Sequence, residues 1–220
     1  MRTTFLLIRH ADNDHVGRAF AGRMPGVHLN DVGRAQAAAL ADRLEHAGIR
    51  AIYSSPLERA TETIQPLAER LQLPVITRER LLEVAAGEWT GAAFASLDRD
   101  PQWRRFNSFR SSTRVAGGEL MTEVQTRITI EMEELRVSHP DETVALVSHA
   151  DVIRFTVAHY AGIPIDLAHR LEVRPASVSI IALDDDGATI VRLNDDGPIV
   201  TPGLTSRIPL ADARGSEPLI

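Results

Sequence analysis

Arg9 and His10 follow an uninterrupted apolar run, Phe5-Leu6-Leu7-Ile8, and Ser148 and His149 follow a second, Val144-Ala145-Leu146-Val147. An imidazole is a competent nucleophile near neutrality, and a guanidinium is a charge that does not titrate away, suited to holding oxyanions. Short apolar runs bounded by polar residues have the pattern of strands buried on both faces. Such strands deliver whatever follows them to the carboxyl edge of a parallel sheet, where open α/β sheets bind ligands. Two of them, each ending in a histidine, imply one site fed from distant parts of the chain. Arg59 falls in the first turn of a predicted helix on the same edge. Taken singly, each residue has an ordinary explanation: an incidental Arg-His pair, a solvated Arg59, a surface Glu83, a satisfied core His149.

The elements that must position these residues alternate. Strands are predicted over 4–9, 49–54, 74–77 and 143–148. A helix over 31–47 is capped by Asn30 and stopped by Gly48. A second helix opens on a capping box, Ser55-Pro56-Leu57-Glu58, and is kinked at Pro66. Residues 81–91 read as a loop. Gly117-Gly118 opens a long helix with Leu120, Val124, Ile128, Met132 and Leu135 near helical spacing. A last helix over 151–161 precedes a hairpin, 177–183 and 189–193, joined by Asp184-Asp185-Asp186-Gly187. This order predicts an α/β three-layer sandwich, a mainly parallel central sheet flanked by helices. The domain covers 1–197, and 198–220, with four prolines and no period, reads as an extended or disordered tail.

Composition narrows the function. The 220 residues are 44% hydrophobic and 25% charged, ordinary for a globular protein, with a net charge of −6. That charge argues against nucleic acid or an anionic membrane as partner, while local cations still permit a small anionic substrate. With no cysteine, disulfides and thiolate zinc sites are excluded. The N-terminus enters a strand at once and no run approaches membrane-spanning length, so a cytoplasmic protein is expected.

Five pieces occur in a fixed order: Leu7-Ile8-Arg9-His10; Ser54-Ser55-Pro56-Leu57-Glu58-Arg59-Ala60; Leu82-Glu83 with Gly87-Glu88-Trp89-Thr90-Gly91; Gly117-Gly118-Glu119; and Val147-Ser148-His149. Over residues 3 to 195 this series resembles the histidine phosphatase superfamily, with its phosphoglycerate-mutase-like fold. The resemblance implies a phosphatase-type phosphomonoester hydrolase in which His10 becomes phosphohistidine. It further implies that Arg9, Arg59 and His149 surround the phosphoryl oxygens and that Glu83 protonates the leaving oxygen. No cofactor or metal is implied, the partner is a small phosphorylated metabolite, and a homodimer is compatible. The chemistry is consistent: phosphoryl transfer rests on alignment and on stabilising charge at three equatorial oxygens.

Five positions depart from the family pattern. Ala11 and Ala150 stand where glycine is usual after each histidine, Asp12 and Asn13 stand where Glu-Thr is usual, and Val16 replaces a common asparagine. Mutases usually carry Arg-His-Tyr-Gly after the acidic residue; here Glu83 is followed by Val84-Ala85-Ala86-Gly87, which resembles the phosphatase form. Three alternatives stay open. One is cofactor-dependent mutase activity. Another is binding of a phosphate ester with little turnover. The third is a metal-dependent hydrolase using His10-Ala11-Asp12 and His149-Ala150-Asp151. The irregular stretch 94–116 is expected to cover the site, with Trp103, Phe106 and Phe109 as apolar anchors. Asn13, Arg23, Arg104 and Arg105 are candidate substrate contacts at the rim.

Overall fold

In the computed structural model, which describes residues 1–197, six strands form one mixed sheet. They are β1 (Thr3–Arg9), β2 (Ile49–Ser54), β3 (Val75–Thr77), β4 (Thr143–Ser148), β5 (Val178–Asp184) and β6 (Gly187–Asp195), in the spatial order β3-β2-β4-β1-β5-β6. The first four are parallel to their neighbours, and the β5–β6 hairpin adds antiparallel to β1. The helices are α1 (Asp31–Leu44), α2 (Glu58–Leu71), α3 (Phe94–Leu97), α4 (Pro101–Ser108), α5 (Met121–Ser138) and α6 (Ala150–Tyr160). None of the described helices is long and apolar enough to cross a membrane.

The three layers follow from strand alternation. Phe5 and Leu7 of β1 and Leu146 of β4 turn to a core shared with Val124, Ile128 and Met132 of α5 and Phe155 of α6. Leu6 and Ile8 turn the opposite way, with Ala145 and Val147, onto Leu40 and Leu44 of α1 and Ile64 and Leu67 of α2. Each fully buried aliphatic side chain contributes roughly 1.5–3 kcal/mol, so β1 is fixed from both faces before it delivers His10.

Several local expectations are revised. Asn30 caps α1 as expected, accepting from the Gly33 amide, but the helix ends at Leu44. The capping box does not form: α2 starts at Glu58 after Leu57, without a side-chain cap, and the Ser55 hydroxyl meets His149 at 2.8 Å while its oxygen accepts from the Leu57 amide at 3.4 Å. The helix runs through Pro66 to Leu71 without a break. Gly117-Gly118 lies ahead of α5, which begins at Met121. Residues 81–91 are not purely loop, since short 3-10 turns span 79–81 and 87–89. Within the irregular stretch, Trp103 and Phe106 pack edge-on against Trp89, and Trp103 also meets Phe20. Phe109 is 54% exposed and is no anchor. Residues 198–220, expected as a tail, lie outside the described residues.

Candidate active site

Parallel register brings the two histidines together. Arg9 of β1 pairs with Ser148 of β4, and the His10 amide donates to the Ser148 carbonyl at 2.9 Å. His10 and His149 are therefore consecutive to paired residues, and their rings lie 5.2 Å apart between centroids. Both are buried. Nδ1 of His10 lies 2.8 Å from the Ala11 carbonyl oxygen. A carbonyl only accepts, so this contact assigns the proton to Nδ1 and leaves the lone pair on Nε2. Burial, with the Arg9 and Arg59 charges, pushes the His10 pKa down to about 3. The ring is neutral near pH 7.

Ser55, one residue past β2, donates its amide to the Val147 carbonyl and lies 2.8 Å through Oγ from His149 Nε2. His149 Nδ1 is buried without a hydrogen-bond partner and is 4.0 Å from Glu83 Oε2. Burial, then the Arg59 charge, hold the His149 pKa well below its usual value. Glu83 arrives from the segment after β3, which is tied to the site by Ser148 Oγ donating to the Leu81 carbonyl at 2.7 Å. Desolvation and the charge of Asp151 raise the Glu83 pKa to about 7, against the Val84 hydrogen bond and the arginine charges.

The two arginines are held by carbonyls, not by carboxylates. Arg9 donates through Nη1 to Val173 O at 2.7 Å and Arg59 through Nη2 to Gly22 O at 2.7 Å. Arg9 Nε and Arg59 Nη1 are buried and without partners. Leaving a buried charged donor unpaired is costly, and an oxyanion would satisfy both. With the histidines neutral and Glu83 able to hold its proton, the two guanidiniums give the cluster a positive balance.

The structure therefore brings together His10, His149, Glu83, Arg9 and Arg59. Asn13 is buried nearby, its side-chain oxygen accepting from the His15 amide at 3.0 Å. Arg23 donates through Nε to the Glu83 carbonyl at 2.8 Å and pairs with Glu119 at 2.9 Å. Arg104 and Arg105 are exposed, and no described side-chain bond joins them to the five. Arg110 turns inward instead, 3.5 Å from Asp151, with Arg154 on the same carboxylate at 2.8 Å. Asp12 takes a hydrogen bond from Asn30 at 3.3 Å. The two aspartates of the His-x-Asp pieces are thus engaged away from the histidines. Neither Ala11 nor Ala150 has a positive φ, so no left-handed backbone demands glycine there. Sequence reasoning missed Ser55 as the histidine partner because Ser-Pro-Leu-Glu also fits a cap. It missed Thr63, which accepts from the Ala11 amide at 2.8 Å, because a mid-helix threonine carries no signal.

The protonation states make a stability prediction. Between about pH 6 and pH 4.5 the unfolded chain holds two extra protons, on the residues His10 and His149, and the fold holds one extra, on Glu83. From these three groups alone, the net difference of one proton lowers stability by about 1.4 kcal/mol for each pH unit of acidification in that window. His10→Asn removes one of the two histidine terms and is expected to flatten the slope of denaturation free energy against pH. An unchanged slope would show that His10 is not held neutral.

The profile of the histidine phosphatase superfamily (branch 1) matches residues 5–196. A bifunctional protein of Mycobacterium tuberculosis is 35% identical over 191 residues, which are 85% of this chain and 52% of that protein. The chain thus spans about half the length of the first curated relatives it matches. Phosphoserine phosphatase 1 of Hydrogenobacter thermophilus is 31% identical, covering 82% of this chain and 86% of the relative. The structure of mycobacterial glucosyl-3-phosphoglycerate phosphatase superposes with a TM-score of 0.78 at 28% identity, covering 88% of this chain and 99% of that one. With a profile match across nearly all described residues and this sheet order, the chain belongs to the histidine phosphatase superfamily, branch 1.

Proposed function

We propose that the protein hydrolyses small phosphate monoesters through a phosphohistidine on His10. The observation that carries this is the conjunction of an unprotonated His10 Nε2 with the unpartnered Arg9 Nε, Arg59 Nη1 and His149 Nδ1. In the first step Nε2 forms a bond to phosphorus as the bond to the ester oxygen breaks, and that oxygen takes the Glu83 proton. In the second, ionised Glu83 takes a proton from water, whose oxygen attacks phosphorus and releases His10 and inorganic phosphate. Arg9 and Arg59 hold the equatorial oxygens throughout, and no step draws on a metal. A panel of phosphate esters assayed for released phosphate, with and without chelator, tests this. Release that survives chelation is expected; release abolished by chelation and restored by a divalent ion contradicts it.

The substrate class proposed is an ester with a second negative group. Phosphoserine and glucosyl-3-phosphoglycerate, named for two relatives, each carry a carboxylate beside the phosphate. Exposed arginines contribute about 0.2–1 kcal/mol apiece to such pairing. Replacing Arg104 and Arg105 together by alanine is expected to raise the KM of a carboxylated ester about three- to fivefold. Turnover, and kinetics with a neutral aryl phosphate, should barely change. If both esters suffer alike, the two arginines are not the source of the preference.

A further inference from the structure

Gly117-Gly118-Glu119 takes no part in the chemistry above, yet it meets the segment that carries Glu83. A Cβ on Gly118 would lie 2.4 Å from the Ala85 carbonyl oxygen, and one on Gly87 1.9 Å from that of Ala116. Only glycines let these two backbones approach so closely. The Glu119 amide donates to Ala85 O at 3.0 Å, and its Oε2 accepts from the Ala85 amide at 2.9 Å.

The same carboxylate organises two guanidiniums. Arg127 of α5 reaches Glu119 Oε1 at 3.1 Å through Nε and donates through Nη2 to the carbonyls of Leu82 at 2.7 Å and Glu83 at 3.3 Å. Arg23, from the loop after β1, reaches Glu119 Oε2 at 2.9 Å and the Glu83 carbonyl at 2.8 Å. The peptide on either side of Glu83 is thus gripped by groups that all meet at Glu119. The Glu83 carboxyl is itself pinned to the next amide, Val84, at 2.9 Å, so moving this peptide moves the carboxyl.

We propose that Glu119, acting through Arg127 and Arg23, is the positioning residue for the proton donor Glu83. This rests on the phosphohistidine reading and deepens it. Glu119 does two things. It fixes where the carboxyl lies, and a displacement of about 1 Å can cost on the order of a hundredfold in rate. It also neutralises Arg127 and Arg23 beside the donor. The charged groups around Glu83 are Arg9, Arg59, Arg127, Arg23, Asp151 and Glu119, with His149 neutral. Removing the Glu119 charge leaves two guanidiniums uncompensated, which favours ionised Glu83, so the donor loses its proton at lower pH.

The test uses Glu119→Gln in the full chain with an alkyl phosphate and an activated aryl phosphate. The pre-steady-state rate at which the alkyl ester phosphorylates His10 is expected to fall about 10- to 100-fold with KM within about twofold, and the same step with the aryl ester to stay within about threefold. The alkaline limb of the alkyl profile should move to lower pH. Equal slowing of the phosphorylation step for both esters, a raised KM with that step unchanged, or an unmoved limb overturns the proposal. If this variant does not fold, Arg23→Met, altered at a partly exposed side chain, decides on the same split at about three- to tenfold. Absence of leaving-group dependence there overturns it equally. Failure of the phosphohistidine reading is separately visible, because the wild-type enzyme would then carry no phosphoryl group on His10.

Discussion

His10→Ala is expected to abolish phosphate release, lowering turnover by about four orders of magnitude or more for every ester tested. The loss is large because His10 is the only group at the end of β1 that presents a free nitrogen lone pair to the cluster. Its Nδ1 proton is committed to the Ala11 carbonyl and its ring is neutral at working pH. His149 does not replace it, since its Nε2 is engaged by Ser55 and its Nδ1 faces Glu83. Removing a nucleophile leaves only the electrostatic contribution of the remaining groups. Affinity for inorganic phosphate should survive, because Arg9 and Arg59 are untouched. Isothermal titration of the variant with phosphate, beside a turnover assay, checks both halves. Retained turnover would remove His10 from the mechanism, and lost phosphate binding would make its role structural.

Glu83→Gln is the second large effect, and it depends on the leaving group. Esters of basic alkoxides should lose about 10²- to 10⁴-fold, the usual range for a general acid. An activated aryl phosphate departs with little protonation, so its phosphorylation step should lose much less. The raised Glu83 pKa, about 7, adds a pH signature. Below it the donor carries its proton, and above it alkyl turnover falls as the carboxylate forms. Glutamine does not titrate, so the variant should lose that alkaline limb. Pre-steady-state rates across leaving groups of graded basicity make the measurement. Equal losses for all of them would assign the proton to another group.

How far the sequence foretold this site depends on the kind of information each residue carries. His10 and His149 were legible because short apolar runs report buried parallel strands, and such strands hand their next residue to one edge. The β1–β4 register, with Arg9 opposite Ser148, converts that pattern into a pair of adjacent rings. Arg59 was legible from its distance past β2. Glu83 sits in a segment without periodicity, and only the ordered motif series pointed to it. What stayed hidden depends on contacts between distant segments. Ser55 has the local signature of a cap, while its tertiary partner His149 lies 94 residues away. The Glu119 grip on Glu83 joins residues more than 30 apart through backbone groups, which side-chain patterns do not encode. Arg110 and Arg104 look alike in sequence. Only the packing of α4, with Phe106 inward, separates the arginine that reaches Asp151 from the one left in solvent.

Rapid acid-free quenching with a phosphoryl-labelled ester, followed by mapping of the labelled peptide, tests the central claim most directly. During turnover the label is expected on His10, stable to base, labile to acid, and chased off by unlabelled substrate at the turnover rate. Glu83→Gln should form it from an activated aryl phosphate. Label on any other residue, or full turnover with no labelled protein at any time, would contradict the account.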